Sequence, residues 1–248
     1  TITHHRQMAE DNETKILGFC KKMIKRVCAR IPSDYFVRAS AISIINNQFS
    51  NVKDIKTFQN KDELWDFAVQ NYYEKRNSIT YVEFGVFEGS SIKYFAKQNN
   101  NEHSVFIGLD SFEGLPSDWG PMPKGTFDTN GLTPKTNDKR IRFVKGWFQR
   151  SWNDADSLIK DFLDENLFVH YDADLYSSTL FALTKIDAYG KEYFAIFDEF
   201  FNEEMLALDA YINSYDATVE FIAKTDHCGY PNQLLCKISP ILSRVKDM

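Results

Sequence analysis

The chain has 248 residues, and its hydrophobic content of 43% is enough to bury one large core. Its 29 Lys and Arg residues against 35 Asp and Glu residues give a formal net charge of −6, which leaves no broad basic face for phosphate groups. This charge balance argues against nucleic acid as a partner.

The four cysteines form neither a secreted disulfide framework nor a paired metal motif. Cys20 and Cys28, if both are helical, lie about 12 Å apart along the axis, too far for a disulfide. No apolar run approaches the roughly 18 residues of a membrane span, and no signal peptide is evident. We therefore expect a cytoplasmic protein with reduced cysteines and no membrane partner.

The first 77 residues have a helical pattern. Apolar residues recur every three or four positions from Leu17 to Ile31, and Pro32 then marks a stop. A second amphipathic segment covers residues 61–73 and follows Asn60, a residue type that caps helices. We predict that residues 1–77 form an N-terminal helical extension, which precedes a cofactor domain of residues 78–248.

From residue 78 onward, short β-rich runs alternate with helical segments. The predicted strands are residues 79–84, 104–110, 141–145, 167–172 and 193–198, with helices near 90–98, 154–165, 175–188 and 203–214. This alternation indicates an α/β fold, with a parallel sheet covered by helices on both faces. Residues 218–224 and 233–238 predict a terminal antiparallel hairpin, and this layout is typical of the class I methyltransferase (Rossmann-like) fold.

The first strand of the predicted sheet turns into a helix through Gly85 and Gly89. A dinucleotide fingerprint needs a middle glycine so that backbone can approach a pyrophosphate, and Phe87 stands there instead. Glu83, at the end of the strand, would repel a phosphate and could pair with an ammonium group. S-adenosylmethionine carries an amino group, a sulfonium and a ribose but no phosphate, so the segment favours this cofactor over a plain turn without a ligand.

Two further strand ends point to the same edge of the sheet. Asp110 follows Gly89 by about 20 positions, the spacing at which an acidic side chain accepts hydrogen bonds from ribose hydroxyls. Its alternative role is to cap the turn that begins at Ser111. Gly146 lets backbone come close to a ligand, and Trp147 either stacks on adenine or belongs to the core.

The fourth and fifth strands end in carboxylates, at Asp172 and at the pair Asp198 and Glu199. If these strands are neighbours, about 4.8 Å apart, the carboxylates converge and suit Mg²⁺ or another divalent cation that prefers oxygen ligands. The alternative without a metal has Asp174 capping the next helix and Glu199 facing solvent. His170 is interpreted as a buried core histidine rather than a base.

The connection of residues 115–139 is rich in Pro and Gly and shows no periodicity. In a compact domain such a long connection indicates a functional loop, and a disordered surface insertion is the alternative. Trp119 and Phe127 favour a role in contacting substrate, because aromatic faces pack well against flat ligands and the apolar faces of sugars.

Five segments in register along residues 79–200 resemble the macrocin/mycinamicin-type (TylF-like) sugar O-methyltransferases. They are Val82-Glu-Phe-Gly-Val-Phe-Glu-Gly89, Asp110-Ser-Phe-Glu-Gly-Leu-Pro116, Lys145-Gly-Trp-Phe148, Asp172-Ala-Asp-Leu-Tyr-Ser-Ser-Thr179 and Phe197-Asp-Glu-Phe200. The resemblance implies a class I fold, a homo-oligomer, and transfer of a methyl group from S-adenosylmethionine to a sugar hydroxyl of a natural product, often with Mg²⁺.

The resemblance also implies roles for individual residues. The expected cofactor-binding residues are Glu83, Gly85, Val86, Phe87, Gly89, Ser90, Asp110, Ser111, Phe112, Gly146, Trp147 and Asp172. The expected metal ligands are Asp172, Asp198 and Glu199. The family usually has Gly where Ala173 stands and Asp where Glu199 stands, so a metal site here would have an altered geometry or be absent.

The expected reaction is an in-line displacement at the sulfonium methyl, in which the protein aligns the reactants and helps to deprotonate a small-molecule hydroxyl. Without a metal, Asp172 or Asp174 is the candidate catalytic base. Three alternatives remain open. They are a catechol-type O-methyltransferase, a nicotinamide oxidoreductase, which Phe87 and Glu83 disfavour, and a binding protein that keeps the fold without the activity.

Overall fold

The computed structural model describes residues 21–23, 25–27, 33–73, 78–163, 166–227 and 229–245. The chain divides into two compact units, residues 1–36 and residues 37–248. In the first unit, residues 21–23 and 25–27 are helical. Leu17, Ile31, Cys20 and Cys28, on which predictions were based, lie outside the described residues.

An eight-stranded sheet forms the centre of the second unit. Its strands are β1 (Lys56–Phe58), β2 (Thr80–Phe84), β3 (Val105–Asp110), β4 (Ile141–Lys145), β5 (Leu167–Tyr171), β6 (Tyr193–Phe197), β7 (Thr218–His227) and β8 (Tyr230–Ser239). Across the sheet they follow the order β1-β7-β8-β6-β5-β2-β3-β4. Neighbouring strands are parallel, except that β8 runs antiparallel to β6 and β7. The predicted fold class is confirmed: an α/β, Rossmann-like sheet with a terminal antiparallel hairpin.

Helices cover both faces of this sheet. They are α1 (Ser33–Asn47), α2 (Lys61–Tyr72), α3 (Ser90–Gln98), α4 (Phe148–Phe162), α5 (Tyr176–Asp187), α6 (Glu203–Tyr215) and α7 (Ile241–Val245), with a 3-10 turn at Ser50–Lys53. Among the residues that the structure describes, no helix is both long enough and apolar enough to cross a membrane.

Helix α4 begins six residues earlier than the prediction near 154. Its buried or half-buried positions Phe148, Trp152, Ala155 and Ile159 recur at helical spacing, so the first turn belongs to the same apolar face. The Phe148 ring packs edge-on against Phe84 of β2, with ring centroids 5.4 Å apart. Contact with the sheet therefore extends the helix back to the end of β4.

The segment predicted as an N-terminal extension contributes a strand to the sheet. Strand β1 pairs in parallel with β7, and Lys56 lies opposite Ala223. The predicted cap of α2 is confirmed, because the Asn60 side chain accepts a hydrogen bond from the backbone N–H of Glu63 at 3.0 Å. Trp65 of α2 is buried in the same core cluster as residues of β2 and β3.

Alternate residues of the central strands enter the two halves of the core. Tyr81 faces one side, where its ring stacks on Phe95 of α3 at 5.1 Å. Phe84 faces the other side and stacks on Tyr171 of β5 at 5.8 Å. Burial of these aromatic rings stabilises the centre of the sheet, from which the loops of the candidate site extend.

The strand order reverses beside β2. The chain runs outward from β2 through β3 to β4, and then returns to place β5 on the other side of β2. At such a reversal the loops after neighbouring strands turn away from each other and leave a crevice at the carboxyl ends of the strands.

Candidate active site

A cleft of about 810 Å³ lies at this crevice. Residues from the carboxyl ends of β2, β3, β4, β5 and β6 all line it. Of the predicted site residues, the lining includes Gly85, Val86, Phe87, Ser90, Asp110, Ser111, Gly146, Trp147, Asp172, Asp174, Asp198 and Glu199. Three predicted cofactor residues, Glu83, Gly89 and Phe112, are not among the lining residues.

Gly85 directly follows β2, beside the residue that follows β5. Its φ is +90°, and a Cβ atom placed on it would lie 1.7 Å from the carbonyl oxygen of Asp172. Backbone hydrogen bonds hold the end of β2 on both sides: the Gly85 N–H donates to the Leu109 carbonyl of β3 at 3.0 Å, and the Asp172 N–H, directly after β5, donates to the Phe84 carbonyl at 2.9 Å. A glycine is therefore required both by the backbone conformation and by the lack of space.

The turn after Gly85 presents an aromatic side chain to the cleft. Phe87 has a φ of +50°, which is unusual for a bulky residue. Its side chain is 41% exposed. Gly89 closes the turn, and its backbone N–H donates to the Val86 carbonyl at 2.8 Å. A Cβ atom on Gly89 would lie 3.0 Å from Pro134, so Gly89 contacts the long loop rather than the cleft.

Asp110 lines the cleft and at the same time holds the glycine turn in place. Its Oδ2 accepts hydrogen bonds from the backbone N–H groups of Val86 and Phe87, each at 2.8 Å. Its Oδ1 accepts a third from Phe112 at 2.8 Å. A carboxylate has about four acceptor sites, so one remains for the ribose hydroxyl expected from the sequence.

We expect Asp110→Ala to weaken both the fold and cofactor binding. It leaves three backbone donors without this partner, of which those of Val86 and Phe112 are part-buried, and an unpaired donor that is kept from water costs about 1–3 kcal/mol. The free energy of unfolding and the affinity for S-adenosylmethionine, measured by denaturant titration and calorimetry, should therefore both fall. Asp226→Ala is the control, because Asp226 accepts one backbone bond, from Gly229, in the β7–β8 turn. Cofactor affinity retained in Asp110→Ala would contradict this role.

Glu83 lies beneath the floor of the cleft and is fully buried. Its Oε1 accepts a hydrogen bond from Ser91 at 2.8 Å, and its Oε2 accepts one from the Tyr81 hydroxyl at 2.5 Å. Glu83 is not among the residues that line the cleft, and its expected contact with a cofactor ammonium group stays a prediction. Ser91, which donates this hydrogen bond to Glu83, does line the cleft.

The end of β4 forms one wall of the cleft, as the sequence predicts. Gly146 has a φ of +143°, and its N–H donates to the Asp110 carbonyl at 2.8 Å. Trp147 then precedes the first turn of α4, and both residues line the cleft.

The opposite wall is acidic. The pKa of Asp172 is raised well above its ordinary value, first by burial and second by the charge of Asp198. The pKa of Asp174 is raised to about 7, first by burial and second by the charge of Glu199. Burial and the charge of Asp198 also raise the pKa of Glu199. These shifts show carboxylates that share a poorly hydrated space and repel each other's charge.

Asp174 does not cap helix α5, contrary to the alternative considered above. Leu175 occupies the N-cap position without a side-chain cap, and the Tyr176 N–H donates to Glu203 Oε2 at 2.6 Å. Asp174 has a φ of +57°, and its side chain accepts no hydrogen bond from the described part of the chain. Its carboxylate is therefore available to a ligand in the cleft.

Glu204 is a site residue that the sequence analysis missed. It is fully buried in α6, and its carboxylate accepts backbone N–H groups of Ala173 and Glu199, each at 3.2 Å. The pKa of Glu204 is raised well above its ordinary value. Burial is the largest cause, and the charges of Asp198 and Asp174 come next. Glu204 thus holds both acidic turns through its carboxylate, and no local sequence pattern marks it.

The predicted metal ligands line one cleft but do not form a metal site in this structure. Among the described residues, no three His, Cys, Asp or Glu side chains are grouped as ligands of a metal ion. Asp198 instead accepts a hydrogen bond from the Gln233 amide, and Glu199 accepts one from Asn202 at 3.2 Å. The residues present do not fit the expected Mg²⁺ as they are placed.

The long loop of residues 115–139 is ordered against the turn after β3. The backbone N–H of Leu115 donates to the carbonyl of Thr126 at 2.9 Å. The N–H of Gly125 donates to the carbonyl of Leu115, also at 2.9 Å. Trp119 and Phe127 both line the cleft, as their aromatic character predicts, and Phe127 packs on Phe87 with ring centroids 5.5 Å apart. The loop is therefore part of the site and not a disordered insertion.

No family model and no curated protein matches the chain. Among solved structures it is similar to a TDP-rhamnose 3'-O-methyltransferase of calicheamicin biosynthesis, at 18% identity over 83% of this chain and 94% of that chain, with a TM-score of 0.43. A precorrin-6y C5,15-methyltransferase from Geobacter metallireducens matches at 12% identity over 75% and 95%, with a TM-score of 0.42.

A Podospora anserina methyltransferase bound to S-adenosylhomocysteine matches at 12% identity over 88% of this chain and 95% of that chain, with a TM-score of 0.42. At such low identities and TM-scores these likenesses carry no argument about activity. The sheet order of this chain is the evidence for its fold.

Proposed function

We propose that the protein transfers the methyl group of S-adenosylmethionine to a hydroxyl of a sugar or glycosylated natural product. The observation that carries this proposal is the cleft at the sheet reversal, in which a glycine turn lies opposite Asp174, a carboxylate free to accept a proton. A methyl donor and a base are the two elements that such a reaction requires.

The charges of the cleft support a cationic cofactor rather than a phosphorylated one. A sulfonium or amino group would favour the ionised forms of the carboxyls Asp172, Asp174, Asp198 and Glu199, whereas a diphosphate would add to their mutual repulsion. Phe87 occupies the position at which a dinucleotide fold needs glycine so that backbone can approach a pyrophosphate, and it lines the cleft. Both features favour S-adenosylmethionine over a nicotinamide dinucleotide.

The proposed roles follow from the positions of the residues. The cofactor supplies an activated methyl group, which passes to the acceptor oxygen while sulfur keeps the electron pair of the broken bond. Asp174 accepts the hydroxyl proton, and its pKa of about 7 suits a base at neutral pH. Asp172 is the second candidate: burial and the charge of Asp198 raise its pKa well above the ordinary value, which favours the protonated form.

The aromatic side chains at the mouth of the cleft support a sugar acceptor. Phe87 and Phe127 are 41% and 40% exposed, and Trp119 lines the same cleft. Such rings pack against the apolar face of a sugar. They would also stack on a catechol, so a phenolic acceptor stays the second candidate, and we propose that the 115–139 loop selects between them.

The proposed activity is tested by incubating the protein with methyl-labelled S-adenosylmethionine and panels of glycosylated and phenolic acceptors. We expect label on a sugar hydroxyl and release of S-adenosylhomocysteine. Label on phenols alone would favour the catechol-type reaction. Saturable cofactor binding without transfer to any acceptor would favour a binding protein, and failure to bind the cofactor would end the proposal.

The divalent cation and the homo-oligomer implied by the resemblance stay predictions. Calorimetric titration of the metal-free protein with Mg²⁺ tests the first: the prediction requires saturable binding that is lost in Asp198→Asn and retained in Asp154→Asn. An absence of binding heat with wild-type protein, with or without cofactor, would show that the protein does not use Mg²⁺.

Light scattering after size exclusion tests the predicted homo-oligomer.

A further inference from the structure

A row of polar side chains crosses four strands beneath the cleft. Glu83 of β2 lies opposite His170 of β5 in the parallel pairing, and Asp198 follows β6. Gln233 of β8 completes the row through its amide, which donates to Asp198. Glu83, His170 and Gln233 are 0%, 0% and 2% exposed, so the row is buried except where Asp198 reaches the cleft.

His170 is the central member of this row, and its two nitrogens face different partners. Nδ1 lies 3.1 Å from the Tyr81 hydroxyl and 3.5 Å from Glu83 Oε2. Nε2 lies 3.9 Å from Asp198 Oδ1 and has no hydrogen-bond partner among the described residues. A buried ring nitrogen without a partner is uncommon and calls for an explanation.

The surroundings of the imidazole leave it little freedom to turn elsewhere. Trp65 packs edge-on against it at a centroid distance of 5.9 Å, and Phe95 does so at 6.2 Å. The ring therefore keeps Nε2 directed at Asp198. From its other side Asp198 is held by Gln233, whose Oε1 also has no partner among the described residues.

We propose that His170 is a positioning residue for methyl transfer, which acts by directing the Asp198 carboxylate into the acidic wall of the cleft. This inference rests on the proposed function. Asp198 interacts electrostatically with Asp172 and Asp174, so its direction sets the field around the base. His170 touches neither cofactor nor acceptor, since it does not line the cleft.

Two amide variants test separately the Nε2 side of the ring, which faces Asp198, and the Nδ1 side, which faces Tyr81 and Glu83. In His170→Gln the side-chain amide occupies the place of Nε2 and keeps a polar N–H group on the side that faces Asp198. In His170→Asn the amide occupies the place of Nδ1 and keeps only the side that faces Tyr81 and Glu83. We expect His170→Asn to lower kcat by about 100-fold, with the Kd for S-adenosylmethionine near the wild-type value, and His170→Gln to retain most of the turnover.

A double-mutant cycle shows whether the effect passes through Asp198. His170→Asn should lower the single-turnover rate in the wild-type background and have little further effect in Asp198→Asn. The control Tyr193→Phe removes a buried contact of 2.9 Å with the Tyr171 hydroxyl on the other side of the sheet, and should leave kcat unchanged. Equal losses in His170→Gln and His170→Asn, or additive losses in the cycle, would overturn the proposal.

The same cycle measured by denaturant unfolding distinguishes this inference from the proposed function. Without turnover on any acceptor, the proposed function fails, yet the free energies of unfolding still report whether His170 and Asp198 are coupled. Additive effects on unfolding would then overturn the positioning role, because the contact on which it depends would be absent. Coupled unfolding together with a loss of kcat specific to His170→Asn supports it.

Discussion

Asp174→Asn is expected to lower kcat by at least about 100-fold, the contribution usual for a positioned general base. The amide cannot accept the hydroxyl proton, whereas its size and shape match those of the carboxylate. The Kd for S-adenosylmethionine should change only a few-fold, because the methionine and ribose parts are expected to bind at the Gly85 and Asp110 turns. Single-turnover transfer of a labelled methyl group and calorimetry measure the two quantities.

Asp154→Asn, an exposed position on α4, is the matched control and should behave as wild type. The pH profile gives a second test of the same role. Because the base acts deprotonated, kcat/KM should rise as pH increases through about 7 and be lost below it. Wild-type turnover in Asp174→Asn, with an unchanged pH profile, would show that another group takes the proton.

Gly85→Ala is expected to prevent formation of the native site and to cost more than about 4 kcal/mol of unfolding free energy. The new Cβ atom would lie 1.7 Å from the Asp172 carbonyl oxygen, and backbone on both sides leaves no flexible group to move away. The ends of β2 and β5 would have to separate at the floor of the cleft. Thermal and denaturant unfolding measure the loss.

Gly120→Ala is the matched control for this substitution. Gly120 also has a positive φ, of +51°, but nothing lies within 4 Å of the position that a Cβ atom would take. Its cost should be limited to the strain of a left-handed residue, about 1–2 kcal/mol. Similar costs for the two variants would mean that the strand ends are not as close as described.

Much of the sheet could be predicted from the sequence because its strands are buried on both faces. β2, β3 and β5 are almost fully buried parallel strands, and such strands give continuous apolar runs that end sharply at Glu, Asp and Gly. The carboxyl ends of neighbouring parallel strands must meet at one edge. For that reason most of the predicted cofactor residues, from Gly85 to Trp147, line the same cleft.

The parts that could not be predicted depend on contacts between distant segments. β1 is only three residues long, and its pairing with β7 joins residues far apart in the chain, so no local periodicity reveals it. The burial of Glu83 depends on partners from α3 and β5, at Ser91 and His170. Glu204 supports two turns through its carboxylate alone, and a helical pattern cannot distinguish such a residue from an exposed acid.

Calorimetric titration with S-adenosylmethionine tests most directly whether the cleft is the cofactor site. The account predicts saturable one-to-one binding to the wild-type protein. Ser90→Trp, which places a bulky side chain in the cleft at an exposed position of α3, should abolish binding, whereas Lys97→Trp at the other end of the same helix should not. Undiminished binding to Ser90→Trp, or none to the wild-type protein, would show that the cleft is not the site of this cofactor.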